Sequence, residues 1–304
     1  MREPPVSEDI YEFHDARFGA CVKRLARLEQ LYTGCRWAEG PAWFSAHRTL
    51  VWSDIPNDRM LRWDETTGAV AVFREPCGYA NGATIDRQGR LLSCEHGGRR
   101  VSRTEHDGRV VTLADRVEGK RLNSPNDLVV RSDGSIWFTD PTYGIDGWYE
   151  GEPAEPEIEG CHVYRIDPAT GAVSRVADDF LKPNGLAFSP DERRLYISDT
   201  GGAGGLIRAF DVREDGGLSG GEALARYDGG HFDGFRVDEE GRIWTSAGAA
   251  VHCYAPDGTL LGAIRTPEPV ANVVFGGARR NRLFITATTS LYAVLLPVRG
   301  AATF

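Results

Sequence analysis

Apolar and polar positions along this chain fall into short runs of two-residue period, separated by Gly-, Pro- and Asp-rich turns. The pattern is clearest between Lys182 and Asp199. Gly185-Leu-Ala-Phe188 alternates as a strand, Pro190-Asp-Glu192 is a turn, and Leu195-Tyr-Ile197 is a second apolar strand that ends at Asp199. That predicts a β-hairpin with a carboxamide, Asn184, at its start and a carboxylate at its end. Antiparallel pairing puts those two ends on the same edge of the sheet.

Six copies of this hairpin follow one another. They run Glu39 to Asp54, Asn81 to Glu95, Asn126 to Asp140, Asn184 to Asp199, Asp233 to Ala247 and Asn272 to Ala287. Successive starts lie 39 to 58 residues apart, near the spacing of propeller blades. Each copy has a turn at its middle, as in Arg87-Gln-Gly89, Ser132-Asp-Gly134 and Glu239-Glu-Gly241. Five copies open with Asp, Asn or Glu followed by Gly or Asp; in the sixth, Asn272 precedes Val273. Two further strands follow each hairpin, such as Met60-Leu-Arg-Trp63 and Ala69-Val-Ala-Val-Phe73 in the first. The sixth copy has only three strands before the sequence given stops, and an apolar run within residues 25–33 is available as its fourth. The expected fold is all-β: a six-bladed β-propeller whose last blade is closed by an N-terminal strand, leaving no open edge in the ring. Residues 1–24 are polar and weakly patterned and are expected as an N-terminal extension; residues 25–304 form one propeller.

Composition narrows the function classes. The chain of 304 residues is 41% hydrophobic and carries 36 glycines, as a turn-rich β core requires. A net charge of −9 argues against nucleic acid. The longest apolar run, Leu291 to Leu296, is far too short to cross a bilayer as a helix. Met1 to Ile10 is acidic with no apolar segment, so no signal peptide is read there, and the expectation is a cytoplasmic protein. Six cysteines without metal spacing are expected as small buried residues in a reducing compartment.

Propeller geometry brings the six hairpin starts together. If the first strands line the axis, then Glu39, Asn81, Asn126, Asn184, Asp233 and Asn272 ring the upper mouth of the channel. Six oxygen-bearing side chains, two of them charged, suit a hard cation such as Ca²⁺, whereas zinc prefers imidazole or thiolate. The competing reading is that Asn-Gly merely marks hairpin turns. In the second copy, however, Asn81-Gly82 is followed almost at once by Asp86-Arg-Gln-Gly89, and two turns so close leave no strand between them. The carboxylates that end the second strands, Asp54, Glu95, Asp140 and Asp199, are expected chiefly to bond backbone amides.

These residues carry a resemblance. Glu39-Gly-Pro-Ala-Trp43, Arg121-Leu-Asn-Ser-Pro-Asn-Asp127, Gly134-Ser-Ile-Trp-Phe-Thr-Asp140-Pro-Thr-Tyr-Gly144, Pro183-Asn-Gly-Leu186 and Phe232-Asp-Gly234 look like the gluconolactonase/regucalcin (senescence-marker-protein) family. The third of these and the Asn-Ser-Pro-Asn-Asp run look most like its bacterial gluconolactonase branch. The resemblance spans about residues 36 to 290. It implies a six-bladed propeller that hydrolyses sugar lactones with one divalent ion in the channel, most simply Ca²⁺, with Zn²⁺, Mn²⁺ and Mg²⁺ as alternatives. By position it implies Glu39, Asn126, Asn184 and Asp233 as ligands, with Asn81 and Asn272 outside the set, and Asp233 as general base. One departure is Ser124, where regucalcin-type members have an Arg two residues before the channel Asn; Arg121 is a candidate to reach the same hydroxyls.

His96, in Glu95-His-Gly-Gly98, is the rival base, and His231 also falls on the upper face, whereas His47 and His106 fall at lower turns. No Gly-x-Ser-x-Gly elbow is present, against a serine hydrolase. The upper loop from Pro141 to Gly160 holds Tyr143, Trp148 and Tyr149, of which Tyr143 and Trp148 are candidates for a sugar-binding wall, and an acidic run from Glu150 to Glu159 expected to be solvated. The expected partner is a small sugar lactone, with no nucleic acid or membrane. A phosphotriesterase-like hydrolase on the same ion and a non-catalytic propeller scaffold are the two other readings.

Overall fold

Second strands of the repeats are buried along nearly their whole length, as in Thr49–Asp54, Leu91–Glu95 and Arg194–Asp199, because each is covered by a neighbouring sheet on both faces. Outer strands such as Val70–Arg74 and Leu218–Tyr227 are largely exposed or half-buried. The computed structural model describes residues 10–302 and contains strands, three short 3₁₀ turns and, among the described residues, no α-helix. Its sheets are six antiparallel blades arranged as the six-bladed propeller that the repeat predicts.

Blade one comprises Ala38–Phe44, Thr49–Asp54, Arg59–Asp64 and Val70–Arg74, ordered from the axis outward. The other blades repeat that order. In blade six, Val270–Gly276, Arg282–Ala287 and Ser290–Leu295 are completed by Glu29–Thr33, which pairs antiparallel with Ser290–Leu295 in a register of Glu29 to Ala293 and Thr33 to Ser290. An ion pair from Arg282 Nη2 to Glu29 Oε2 (2.7 Å) lies on the same seam. The predicted closure is therefore present.

Each blade packs its apolar face on the next. Trp137 of blade three sits with Leu186, Leu195 and Ile197 of blade four, and Trp52 and Trp63 of blade one meet Phe284 and Leu291 of blade six. The lower turns use one device repeatedly. Asp86 Oδ1 accepts from the amides of Gln88 (2.9 Å) and Arg90 (2.8 Å), and Asp238 Oδ1 does the same for Glu240 and Arg242 (3.0 Å each).

The segment before residue 25 does more than the sequence pattern suggests. Tyr11–Phe13 adds a fifth strand to blade five by pairing with Leu260–Arg265, and a 3₁₀ turn, Ala16–Ala20, inserts the fully buried Phe18 against it. Gly262 makes room for that ring, since a Cβ there would lie 2.3 Å from Phe18 Cδ1. Three paired residues and one anchoring ring have no periodicity to read. We expect truncation through residue 24 to lower the thermal midpoint, because it uncovers the edge of blade five and empties the Phe18 pocket, a loss of about 3–5 kcal/mol for the ring alone. Truncation through residue 34 is expected to lower it further by opening blade six. Equal midpoints for the full chain and the longer truncation, measured by differential scanning calorimetry, would show that neither strand closes anything.

Candidate active site

At the upper mouth the inner strands crowd one another. A Cβ on Gly40 would stand 1.9 Å from the carbonyl oxygen of Asn81, and one on Gly234 would stand 1.9 Å from Cγ of Asn272. Only glycine allows such an approach, which is why a glycine follows most of the channel residues. The strands bulge here: register shifts fall between Glu39 and Ala42, Ala80 and Ala83, Pro183 and Leu186, and Val270 and Asn272. In blades three and five the regular first strands start only at Leu128 and Phe235, so Asn126 and Asp233 lie just ahead of them rather than inside, still tied to the second strands through Asn126 N to Thr139 O (2.9 Å) and Asp233 N to Ser246 Oγ (2.7 Å).

The six predicted channel residues do converge, and all but the half-buried Asp233 are buried. A layer of hydroxyls on the second strands fixes their backbones. Ser53 Oγ donates to the Asn81 carbonyl (2.8 Å), Thr139 Oγ1 to that of Asn184 (2.8 Å), Ser198 Oγ to that of Asp233 (3.0 Å) and Thr286 Oγ1 to that of Asn272 (3.1 Å). This layer has a sequence signal that was not used, a Ser or Thr just before the last residue of five of the six copies.

Two residues at the site were missed altogether. Asp127 occupies the position where most blades have glycine, so its fully buried carboxylate enters the channel, and Arg236 of blade five answers it (Nη1 to Oδ2, 3.6 Å). Asn272 joins this group: its Nδ2 donates to Glu39 Oε2 (3.0 Å), and it also bonds Asp127. Glu39 also accepts from the amide of Gly40. On the other side the Asn184 amide faces the Asp233 carboxylate and the Tyr143 hydroxyl, and that hydroxyl bonds Thr200.

Burial dominates the electrostatics. It pushes the Glu39 carboxyl well above the usual range, with the Asp233 and Asp127 carboxylates adding to the effect. Asp233 is pushed up to about 8 by burial first, then by Glu150 and Asp127. Asp127 is raised by burial too, against the opposing pull of Arg236. Three carboxylates thus face one guanidinium, and the buried atoms Asn81 Oδ1 and Asp127 Oδ2 have no hydrogen-bond partner. Oxygen donors with negative charge to spare fit a hard divalent cation. Among the described residues no three His, Cys, Asp or Glu side chains form a metal cluster; a cation held here would need the amide oxygens of Asn126 and Asn184 beside Glu39 and Asp233. Below the ring the channel turns apolar and opens into a cavity of about 220 Å³ lined by Ala42, Ala83, Val129, Ala187 and Val274, which holds none of the ring carboxylates.

His96 is fully buried. Asn81 Nδ2 donates to its Nε2 (3.2 Å), which leaves Nδ1–H to donate to the Glu150 carbonyl (3.1 Å). Burial lowers its pKa to about 4, so it is neutral at physiological pH with both nitrogens engaged. His231 is exposed. Arg121 points to Gly98 O (3.4 Å), and its amide donates to Glu157 Oε2 (2.8 Å), contacts that lie away from the ring residues. Ser124 anchors the start of the long loop through Pro141 O (2.7 Å) and the Gly144 amide (2.9 Å). Trp148 is 78% exposed. The acidic run is solvated from Glu152 onward, but Glu150 is not: its side chain is folded inward, 24% exposed, beside His96. Three of the terminal carboxylates bond backbone amides as expected, Asp199 accepting from Leu181 (3.0 Å) and Lys182 (2.8 Å), Asp54 from Arg36 (2.8 Å) and Asp140 from Asn123 (2.9 Å), whereas Glu95 is bonded by the side chains of Arg74 (3.1 Å), Arg100 (2.6 Å) and Ser102 (2.6 Å).

The sequence profile of the SMP-30/Gluconolactonase/LRE-like region matches residues 37–289, the stretch that builds this ring. The chain belongs to that family. A gluconolactonase from Zymomonas mobilis is 30% identical over 302 residues, covering 91% of this chain and 83% of the relative. A pentonolactonase from Haloferax volcanii is 33% identical over 263 residues, covering 84% and 82%. Among solved structures, a gluconolactonase from Xanthomonas campestris superposes with a TM-score of 0.90 at 44% identity, covering 94% of each chain. The family resemblance read from the sequence is thus confirmed.

Because the folded-state pKa of His96 lies below its ordinary value of 6.5, the unfolded chain takes up that proton first as pH falls. The associated stability is fully present above pH 6.5 and is lost progressively down to about 4, by on the order of 3 kcal/mol. We expect the His96 imidazole resonances to stay at their neutral positions down to pH 5; a titration midpoint near 6.5 would contradict the burial of this ring.

Proposed function

We propose that this family member is a metal-dependent lactonase that opens a sugar lactone of the gluconolactone kind to the aldonic acid. It is a hydrolase of carboxylic ester bonds, the class to which lactone opening belongs. The observation that carries the finer reading is the convergence of the buried Glu39 and Asp127 and the half-buried Asp233, short of positive charge, with the Asn126 and Asn184 amides at one mouth.

Glu39, Asn126, Asn184 and Asp233 would hold the cation, most simply Ca²⁺ given an all-oxygen set. When bound, it supplies Lewis-acid polarisation of the lactone carbonyl and support for the developing oxyanion. The protein's own part is to place and activate water. Asp233, whose carboxylate stands at the mouth, takes a proton from the attacking water as the oxygen bonds to the carbonyl carbon. The tetrahedral adduct then expels the ring oxygen, which takes that proton back and leaves as the hydroxyl of the acid. Asn184 faces the Asp233 carboxylate and limits how it turns, and the Tyr143 ring, with Lys182 Nζ 4.5 Å from its centroid, walls the mouth on the blade-four side. His96, with no free nitrogen, serves as a clamp on the loop above rather than as the base.

Chelation is expected to abolish turnover of gluconolactone above the spontaneous rate, and Ca²⁺ to restore it, with Zn²⁺, Mn²⁺ and Mg²⁺ compared in parallel. Glu39→Gln, Asn184→Ala and Asp233→Ala should weaken metal affinity sharply in calorimetric titration while the circular dichroism spectrum stays that of the native propeller. Full activity after exhaustive chelation defeats the metal reading. An organophosphate assayed alongside should be turned over poorly; preference for it would move the assignment to phosphotriester hydrolysis.

The base assignment has its own test. Asp233→Asn is expected to cost at least ~10²-fold in turnover at saturating metal, whereas His96→Ala keeps most of the turnover and raises KM. The reverse ranking would make His96 the base and Asp233 a ligand only.

A further inference from the structure

The loop from Pro141 to Gly160 is strapped across the mouth and reaches three other blades. Tyr149 OH donates to Arg36 O of the segment entering blade one (3.2 Å), and the Glu150 carbonyl takes the His96 proton of blade two (3.1 Å). On blade four, Asp146 receives the Lys182 ammonium (2.7 Å), and Tyr143 meets Thr200. The turn inside the loop is tight, since a Cβ on Gly151 would lie 2.1 Å from the Gly144 carbonyl. These ties fix where the side chain of residue 150 goes. Its Oε2 lies 3.9 Å from His96 Nδ1, and His96 in turn bonds Asn81 of the ring. The carboxylate is close enough to Asp233 to act on it as the largest charge effect that group feels.

From this geometry we propose that Glu150 is the specificity-determining residue of the site: a carboxylate held by the loop over the channel, it accepts the hydroxyls of the substrate's distal end and repels lactones that carry a second acid group there. The proposal rests on the lactonase reading and adds the substrate class to it, neutral polyhydroxylated lactones. The charge count supports it. Once a divalent cation draws off their protons, Glu39, Asp127, Asp233 and Glu150 would set four negative charges against Arg236 and that cation, while Lys182 and Asp146 cancel one another. The mouth therefore stays net negative with the metal in place. Glu150 is the one carboxylate of the four carried by the loop rather than by the ring, and so the one free to meet the far end of a substrate held at the ring by its carbonyl. Hydroxyl donors match an ionised carboxylate, and a phosphate or a second carboxylate placed there pairs like charges at reduced dielectric.

The test compares gluconolactone with its phosphate ester on the terminal hydroxyl, on metal-loaded wild type, Glu150→Gln and Glu150→Asp. The ester is read as kcat/KM where it is turned over and as a competitive inhibition constant where it is not. We expect Glu150→Gln to raise KM for gluconolactone and to improve handling of the ester, shifting the ratio of the two by at least about tenfold, while Glu150→Asp, which keeps the charge, stays near the wild-type ratio. A loop that merely loses order in Glu150→Gln would impair both compounds together and leave the ratio unmoved, and that result overturns the proposal, as does Glu150→Asp behaving like Glu150→Gln. Wild-type turnover of gluconolactone is read first: its absence brings down the lactonase reading and this proposal together, whereas turnover with an unmoved ratio brings down this proposal alone.

Discussion

Everything at the active mouth depends on how closely the six inner strands approach one another there. The contact is tight enough that a methyl group on Gly40 or Gly234 would sit inside a neighbouring residue. Crowding of this degree has two effects. It removes water from the carboxylates that the strands carry, raising the energy of their charged forms, and it denies them room to turn away. Blade three adds to the effect by placing Asp127 where most blades have glycine, and among the described residues Arg236 is the cation that answers it, at 3.6 Å. A protein seldom buries three carboxylates against one guanidinium for stability alone, since breaking or under-compensating buried charge costs several kcal/mol. That shortage of positive charge is what the proposed cation would make good.

The ring is held from behind as well as from the side. Ser53, Thr139, Ser198 and Thr286 are buried hydroxyls that hold the carbonyls of the channel residues of their own or the next blade. Each such bond contributes about 1 kcal/mol net, and the larger benefit is positional. A ring built from six separate strands is only as precise as the backbone beneath it, and hydroxyl bridges between blades set that backbone independently of the channel side chains.

Much of this was legible in the chain. Alternation of period two, a turn at the centre of each copy and the missing fourth strand of the last copy led to the propeller and to its closure by Glu29–Thr33, because those signals are local and the fold repeats them six times. The six channel positions were legible for the same reason. Asp127 was not, because in sequence it stands as a conservative variant of the Gly after the channel residue, and only the approach of Gly82 to its backbone shows that a side chain there must enter the channel. Glu150 was read as part of a solvated acidic run, since nothing in the spacing of Glu150, Glu152, Glu155, Glu157 and Glu159 distinguishes the first. What separates it is the bond its backbone makes with His96, 54 residues away. Tyr11–Phe13 was invisible because its anchor, Phe18, is a single residue.

His96 illustrates how far a loop residue departs from its expected behaviour once the fold is complete. In sequence it is a histidine on an upper connection, with the ordinary titration that makes histidine a candidate base. In the fold it is wholly enclosed, its Nε2 receiving the Asn81 amide and its Nδ1–H given to the Glu150 carbonyl. The same two bonds that remove it from acid–base chemistry connect the ring to the loop, so that the position of Glu150 above the channel is set by a ring residue. The division of labour follows from that link. On the proposed function, six strands locked by glycine contacts and hydroxyl bridges would define where the reacting carbonyl is held, and one long loop, attached at a few points, would decide what the rest of the substrate meets. Changes in the loop alter the second without disturbing the first, provided that the histidine keeps its neutral, doubly bonded state.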